Sequence, residues 1–109
     1  MKTRRCVLVF AGLDPSGGAG IQADIEAIGA MGAHALPIIT ALTVQDNDRV
    51  FAVNPVDANI LRNQAQALID KIQISAIKIG IVGNNNQILC RNPFMTDNIR
   101  HNRSAEVHK

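Results

Sequence analysis

Apolar and polar positions along the chain fall into short continuous runs that alternate with helical stripes. Residues 6–11, CVLVFA, are apolar throughout, the pattern of a short strand buried on both faces. Gly12 to Gly18 then read as a loop, with Pro15 and the Gly17-Gly18 pair as breakers. From Ala19 to Met31 the apolar residues Ile21, Ile25, Ile28 and Met31 recur at steps of four, three and three. That spacing predicts one face of a helix, and Gly32 is placed to end it. A second apolar run, HALPIIT, covers residues 34–40. Pro37 has no N–H to give a ladder, so this strand is expected at an edge or with its proline near an irregular start.

ALTVQDNDR reads next as a polar connection, and VFAV, residues 50–53, as a third strand stopped by Pro55. Asp57 can cap the following helix by accepting a bond from a first-turn amide. Within residues 58–72, Leu61, Ala65, Leu68 and Ile72 line one face, while Arg62, Gln66 and Asp70 point elsewhere. AIKIGIV, residues 76–82, is the fourth strand, and NNNQIL opens like a further helix. After Leu89 neither period continues, and RNPFMTDNIRHNRSAEVHK reads as a loop or disordered tail. The order strand, helix, strand, strand, helix, strand predicts an α/β architecture with right-handed crossovers.

Composition narrows this further. A chain of 109 residues is at most one domain. With 47% hydrophobic and only 3% aromatic residues, its core must be aliphatic, which suits parallel strands covered by helices. The net charge of +2 is too small to point to nucleic acid. Residues 1–90 are balanced, so the excess comes from Arg91, Arg100, Arg103 and Lys109 against Asp97 and Glu106. Such a thin basic tail reads as a solvated end before it reads as a nucleic-acid arm. Cys6 and Cys90 form no CxxC or metal spacing, and Cys6 within its apolar run reads as a small buried hydrophobe. The N-terminal apolar stretch is short and runs into Asp14 without a convincing cleavage site. No window approaches the ~18 apolar residues of a membrane span, so a cytoplasmic protein without a membrane partner is expected.

The loop in "AGLDPSGGAGIQAD", residues 11–24, admits three mechanisms. A P-loop requires G-x-x-x-x-G-K-[ST], but Gly18 and Ala19 stand where the lysine and hydroxyl should be. A dinucleotide fingerprint, G-x-G-x-x-A, is met by Gly18 to Ala23. Its first glycine lies too far from the strand, however, and no acid ends the second strand to hold a ribose. The third mechanism is a loop at a strand's carboxyl end whose backbone approaches a small ligand, against the plain alternative that the glycines only turn the chain.

Residues 11–46, "AGLDPSGGAGIQADIEAIGAMGAHALPIITALTVQD", resemble the N-terminal signature of the hydroxymethylpyrimidine/phosphomethylpyrimidine kinases. The pattern A-G-x-D-P-S-G-G-A-G-I-Q-A-D, a G-A stretch and I-T-A-L-x-x-Q is met almost position for position, and "IKIGIVG", residues 77–83, resembles the family's later K-I-G strand. The likeness covers residues 6–89. It implies the N-terminal portion of a three-layer ribokinase-like α/β fold with a mostly parallel sheet. It also implies an ATP- and Mg2+-dependent transferase of thiamine biosynthesis acting on a small aminopyrimidine, with a homo-oligomer as the family's habit.

Carried over by motif, Gln45 matches the glutamine that hydrogen-bonds the pyrimidine. An amide offers a donor and an acceptor, which suits a ring nitrogen beside an amino group. Asp24 is expected to face the same ring, or to be a first-turn acid favoured by the helix dipole, or both. Gly12 matches the glycine where the first strand opens into the pocket, allowing close approach. Gly80 and Ile81 match positions whose backbone and side chain wall the ring. Lys78 is expected to be structural, His34 ordinary, and His101 and His108 without partners.

Phosphoryl transfer requires charge neutralisation and a positioned acceptor. In the resembled family an N-x-x-E segment and a G-T-G-[CD] turn supply these, after a D-P-V strand; none of the three occurs in this sequence. The ATP- and metal-binding segments are therefore expected to be missing. Residues 1–89 are expected to form the N-terminal kinase part and residues 90–109 a divergent tail, disordered or out of frame, leaving a truncated and catalytically incompetent chain. A non-catalytic pyrimidine-binding fragment and a relative of the pyridoxal kinases remain as alternatives.

Overall fold

The computed structural model describes residues 4–80 and 107–108. Its elements are β1 (Cys6–Leu13), α1 (Gly20–Ala30), β2 (His34–Gln45), β3 (Val50–Pro55), α2 (Ala58–Ile69), β4 (Ile74–Ile79) and β5 (Val107–His108). They build one sheet in the order β3-β2-β1-β4-β5. β1 runs parallel to β2 and β4, and β4 parallel to β5; β3 alone is antiparallel, against β2. The expected α/β class and mostly parallel sheet are both present.

β1 is central because both of its faces are apolar. Leu8 and Phe10 point one way and pack with Leu36, Ile38, Ile77 and Ile79 beneath Leu61 and Ala65 of α2. Val9 and Ala11 point the other way and pack with Ile21 of α1, flanked by Val7, Leu13, Ile28, Ala35 and Ile39. One helix thus covers each face, giving three layers. Leu8 and Val9 are fully buried, and each such side chain contributes about 1.5–3 kcal/mol relative to exposure.

Both helices end as their sequences require. Asp57 accepts a bond from the Asn59 amide at 2.8 Å and caps α2. Gly32, at φ +82°, closes α1, with Ala33 N–H donating to the Ile28 carbonyl at 3.1 Å. The expected apolar stripe of α1 is only half used. Ile21 is buried and Ile28 partly so, but Ile25 and Met31 are exposed because no described element covers that flank.

Two expectations about the connections need correction. ALTVQ is not a polar link: β2 continues to Gln45 and turns back into β3 as a hairpin. The turn is held by Asp46, whose Oδ1 accepts from the amides of Asp48 at 2.8 Å and Arg49 at 3.0 Å. The polar residues Thr43 and Gln45 alternate with exposed Leu42 and Val44, so the strand's period was present but its apolar content was too low to stand out. In the basic tail, Val107 and His108 pair with Ile77 and Lys78 of β4, where no element was expected.

Pro37 occupies an interior strand yet has edge surroundings. It pairs with Val9 on β1, while β3 accompanies only Ala41–Gln45. On the side away from β1 no described strand reaches it, so its missing N–H breaks no ladder there.

Candidate functional site

The carboxyl ends of β1, β2 and β4 open into a cavity of about 370 Å³. That lies near the lower end of the ~300–1,000 Å³ typical of small-molecule sites. The glycine loop and the start of α1 form one side, and Val50 and Val53 of the hairpin border another. The loop stands at the carboxyl edge, where open α/β sheets bind ligands.

Asp14 organises that loop. The run Asp14-Pro15-Ser16-Gly17 places each residue where a β-turn favours it, and Gly17 N–H closes the turn onto the Asp14 carbonyl at 2.9 Å. The buried Asp14 carboxylate accepts from Ser16 Oγ at 2.7 Å, Ser16 N–H at 2.8 Å and Ala19 N–H at 3.2 Å. The Ser16 hydroxyl foremost, then the amides of Ser16, Ala19 and Gly18, hold its pKa below the usual carboxylate value, against the opposing effect of burial. The bond from Ala19 also replaces a side-chain cap, which α1 lacks.

The loop closes by backbone contact. Gly20 has φ +73°, and a methyl group there would stand 2.4 Å from the Gly12 carbonyl oxygen. Gly12 itself is not crowded, since a Cβ would meet only the Ala41 carbonyl at 3.8 Å. The contact the structure shows at Gly12 is with the backbone of Gly20, and it depends on Gly20 lacking a side chain. At the far wall, Gly80 N–H donates to the Phe10 carbonyl at 2.6 Å, drawing the end of β4 against β1.

Gln45, Asp24, Gly12 and Gly80 all line this one cavity. Ile81 lies outside the described residues, as do Cys90, His101 and the helix expected from NNNQIL. Asp24 is not a first-turn acid, because α1 begins at Gly20 and carries none. It sits in the second turn, its side chain 12% exposed, and is ion-paired with Lys78 from β4. Lys78 reaches the cavity wall through this pair.

Two residues of the site were not singled out from the sequence. One is Asp14, whose signal was the D-P-S-G turn pattern. The other is Thr43, whose Oγ1 donates to the Leu13 carbonyl at 2.7 Å and accepts from Gln45 Nε2 at 2.5 Å. Its signal was the two-residue spacing from Gln45, which puts both side chains on one face once ALTVQ is a strand.

The cavity lining does not fit a nucleoside triphosphate with its metal. Among the described residues its one cation, Lys78, is committed to Asp24, and no three His, Cys, Asp or Glu side chains are grouped to hold a metal. Among the same residues no helix is long and apolar enough to cross a membrane.

A mostly parallel sheet with a helix on each face and a cavity at its carboxyl edge is the architecture of the ribokinase-like small-molecule kinases. The closer relationship is carried by sequence: the family model for phosphomethylpyrimidine kinase matches residues 14–102, and the chain belongs to that family. The matched stretch runs on past Leu89. Hydroxymethylpyrimidine/phosphomethylpyrimidine kinase of Haemophilus influenzae is 37% identical over 97 residues, covering 89% of this chain. The chain spans 36% of that relative's length. The crystal structure of phosphomethylpyrimidine kinase from Clostridium difficile superposes with a TM-score of 0.79 at 35% identity, over 95% of this chain and 44% of that one. Pyridoxal kinase from Staphylococcus aureus, in complex with AMP-PCP, gives a TM-score of 0.75 at 27% identity, over 87% of this chain and 35% of that one.

Proposed function

We propose that this chain forms the substrate-recognition side of an ATP-dependent hydroxymethylpyrimidine/phosphomethylpyrimidine kinase of thiamine biosynthesis. The observation that carries the reading is the convergence of Gln45 and Asp24, from different elements, on one cavity between Gly12 and Gly80. In this reading the Gln45 amide and the Asp24 carboxylate bind the edge of a 4-amino-5-hydroxymethyl-2-methylpyrimidine. The loop fixed by Asp14 and the backbone at Gly12 and Gly80 shape the walls, and Val50 and Val53 cover the ring.

The transfer step belongs to residues that this sequence does not contain. ATP and Mg2+ are used by kinases of this class, and the N-x-x-E and G-T-G segments associated with them do not occur here. The reading therefore gives this chain substrate binding without turnover.

Calorimetric titration of the chain with 4-amino-5-hydroxymethyl-2-methylpyrimidine tests the proposal. Saturable binding is expected, weakened about tenfold or more in Gln45→Ala and in Asp24→Ala, since each loses a hydrogen bond to a polar ligand edge. Absence of binding by the wild-type chain, or wild-type affinity in both variants, would overturn it. Magnesium-dependent phosphorylation of the pyrimidine by the chain alone would overturn the second part. The likeness to pyridoxal kinases makes pyridoxal the competitor to include; tighter binding of pyridoxal would move the reading to that substrate.

A further inference from the structure

We infer that Thr43 fixes the orientation of the Gln45 amide, so that its carbonyl oxygen faces the cavity and selects an amino-bearing over an oxo-bearing ring edge. The inference rests on the recognition reading above for its ligand, but its geometry stands on hydrogen-bond parity. The Leu13 carbonyl oxygen can only accept, and a threonine hydroxyl has one proton. With Thr43 Oγ1 at 2.7 Å from Leu13 O, that proton is committed to Leu13. The contact at 2.5 Å between Thr43 Oγ1 and the Gln45 amide must then be donated by the Gln45 NH2 group. Placing the Gln45 carbonyl oxygen there would oppose two acceptors with no proton between them.

The consequence reaches the cavity. Gln45 has one N–H on Thr43 and keeps its carbonyl oxygen and second N–H for a ligand. Asp24, ion-paired with Lys78, adds a further acceptor to the same wall. This wall complements an exocyclic amino group beside an unprotonated ring nitrogen. An oxo group beside a ring N–H would set acceptor against acceptor. Without the Thr43 hydroxyl the amide can rotate by half a turn and present either pattern, because the two amide orientations differ little in shape.

Thr43 is therefore a positioning residue acting through Gln45. The test compares the wild-type chain with Thr43→Val, which keeps the β-branched shape and removes the hydroxyl, and Thr43→Ser, which restores it. Calorimetry measures the affinity ratio for 4-amino-5-hydroxymethyl-2-methylpyrimidine over its 4-oxo counterpart. We expect a preference of about tenfold or more for the amino ring in the wild type and in T43S, falling to about threefold or less in T43V. A purely structural role would weaken both rings alike and leave the ratio unchanged, and that result would overturn the inference. The side-chain amide resonances of Gln45, read by NMR without ligand, give a second measure. One of its two protons is expected to be shielded from exchange in the wild type and T43S but neither in T43V; equal exchange in all three would refute the inference. A wild-type chain that binds neither ring would refute the recognition reading instead, and the amide spectrum would still decide whether Thr43 holds Gln45.

Discussion

Replacing Gly20 by alanine places a methyl carbon 2.4 Å from the Gly12 carbonyl oxygen in a backbone with φ +73°. Two costs add. The left-handed backbone costs a non-glycine residue roughly 1–2 kcal/mol. The methyl group lies roughly 1 Å inside ordinary van der Waals separation, and overpacking of this kind costs about 1–3 kcal/mol. The contacted atom is backbone carbonyl, which cannot swing aside as a side chain would. The expected loss is about 2–5 kcal/mol, a large share of the 5–15 kcal/mol typical of a whole domain. Gly29, in the same helix, is the internal control. A Cβ there meets nothing within 4 Å, so Gly29→Ala is expected to stabilise by about 0.5 kcal/mol through helix propensity alone. Equilibrium urea unfolding followed by far-ultraviolet circular dichroism measures both. The reasoning fails if Gly20→Ala lies within about 0.5 kcal/mol of the wild type while Gly29→Ala behaves as stated.

The loop and helix ends give further expectations. Asp14 has a folded pKa below its ordinary 3.8, so its contribution is present above that value and is lost as the pH falls through the folded pKa. The melting-temperature difference between wild type and Asp14→Asn should therefore be full at neutral pH and shrink below about pH 4; a difference that persists to the most acid pH at which the chain folds would contradict this. Removing the α2 cap in Asp57→Ala should cost about 1 kcal/mol in urea unfolding, with Asp57→Ser recovering most of it. Lys78→Met should change stability little, because the Lys78 side chain is 46% exposed and such pairs contribute about 0–1 kcal/mol. It should nevertheless weaken pyrimidine binding by releasing Asp24, and unchanged affinity would show that the pair does not orient the carboxylate.

Elements with strong apolar patterns were legible from the residues alone. β1 is apolar on both faces because helices cover both, and Leu61 and Ala65 mark the inner face of α2 without ambiguity. Of the β2–β3 hairpin, β3 was legible from VFAV even though all six of its residues are exposed, but the continuation of β2 to Gln45 was not. That outer end alternates polar Thr43 and Gln45 with exposed apolar residues, so burial leaves no imprint there. The helical stripe at Ile25 and Met31 misled for the converse reason, since periodicity shows which residues share a face and not whether anything covers it. Within the site, resemblance supplied Gln45 and Asp24. The tertiary bonds from Thr43 to Leu13 and from Lys78 to Asp24 join positions 30 and 54 residues apart, beyond the reach of any local pattern.

The placement of Pro37 bears on how the sheet behaves toward other chains. Along residues 34–39 one margin of β2 has no described strand beside it, and an open margin of that kind is a template on which a foreign strand can add. A strand laid there would meet a residue with no amide proton, and its ladder would break near the middle of the open stretch. Natural sheets use proline in this way to discourage intermolecular pairing. The residue that complicates the reading of β2 as a strand is the same one that interrupts the ladder a second molecule could form along the margin with no described neighbour.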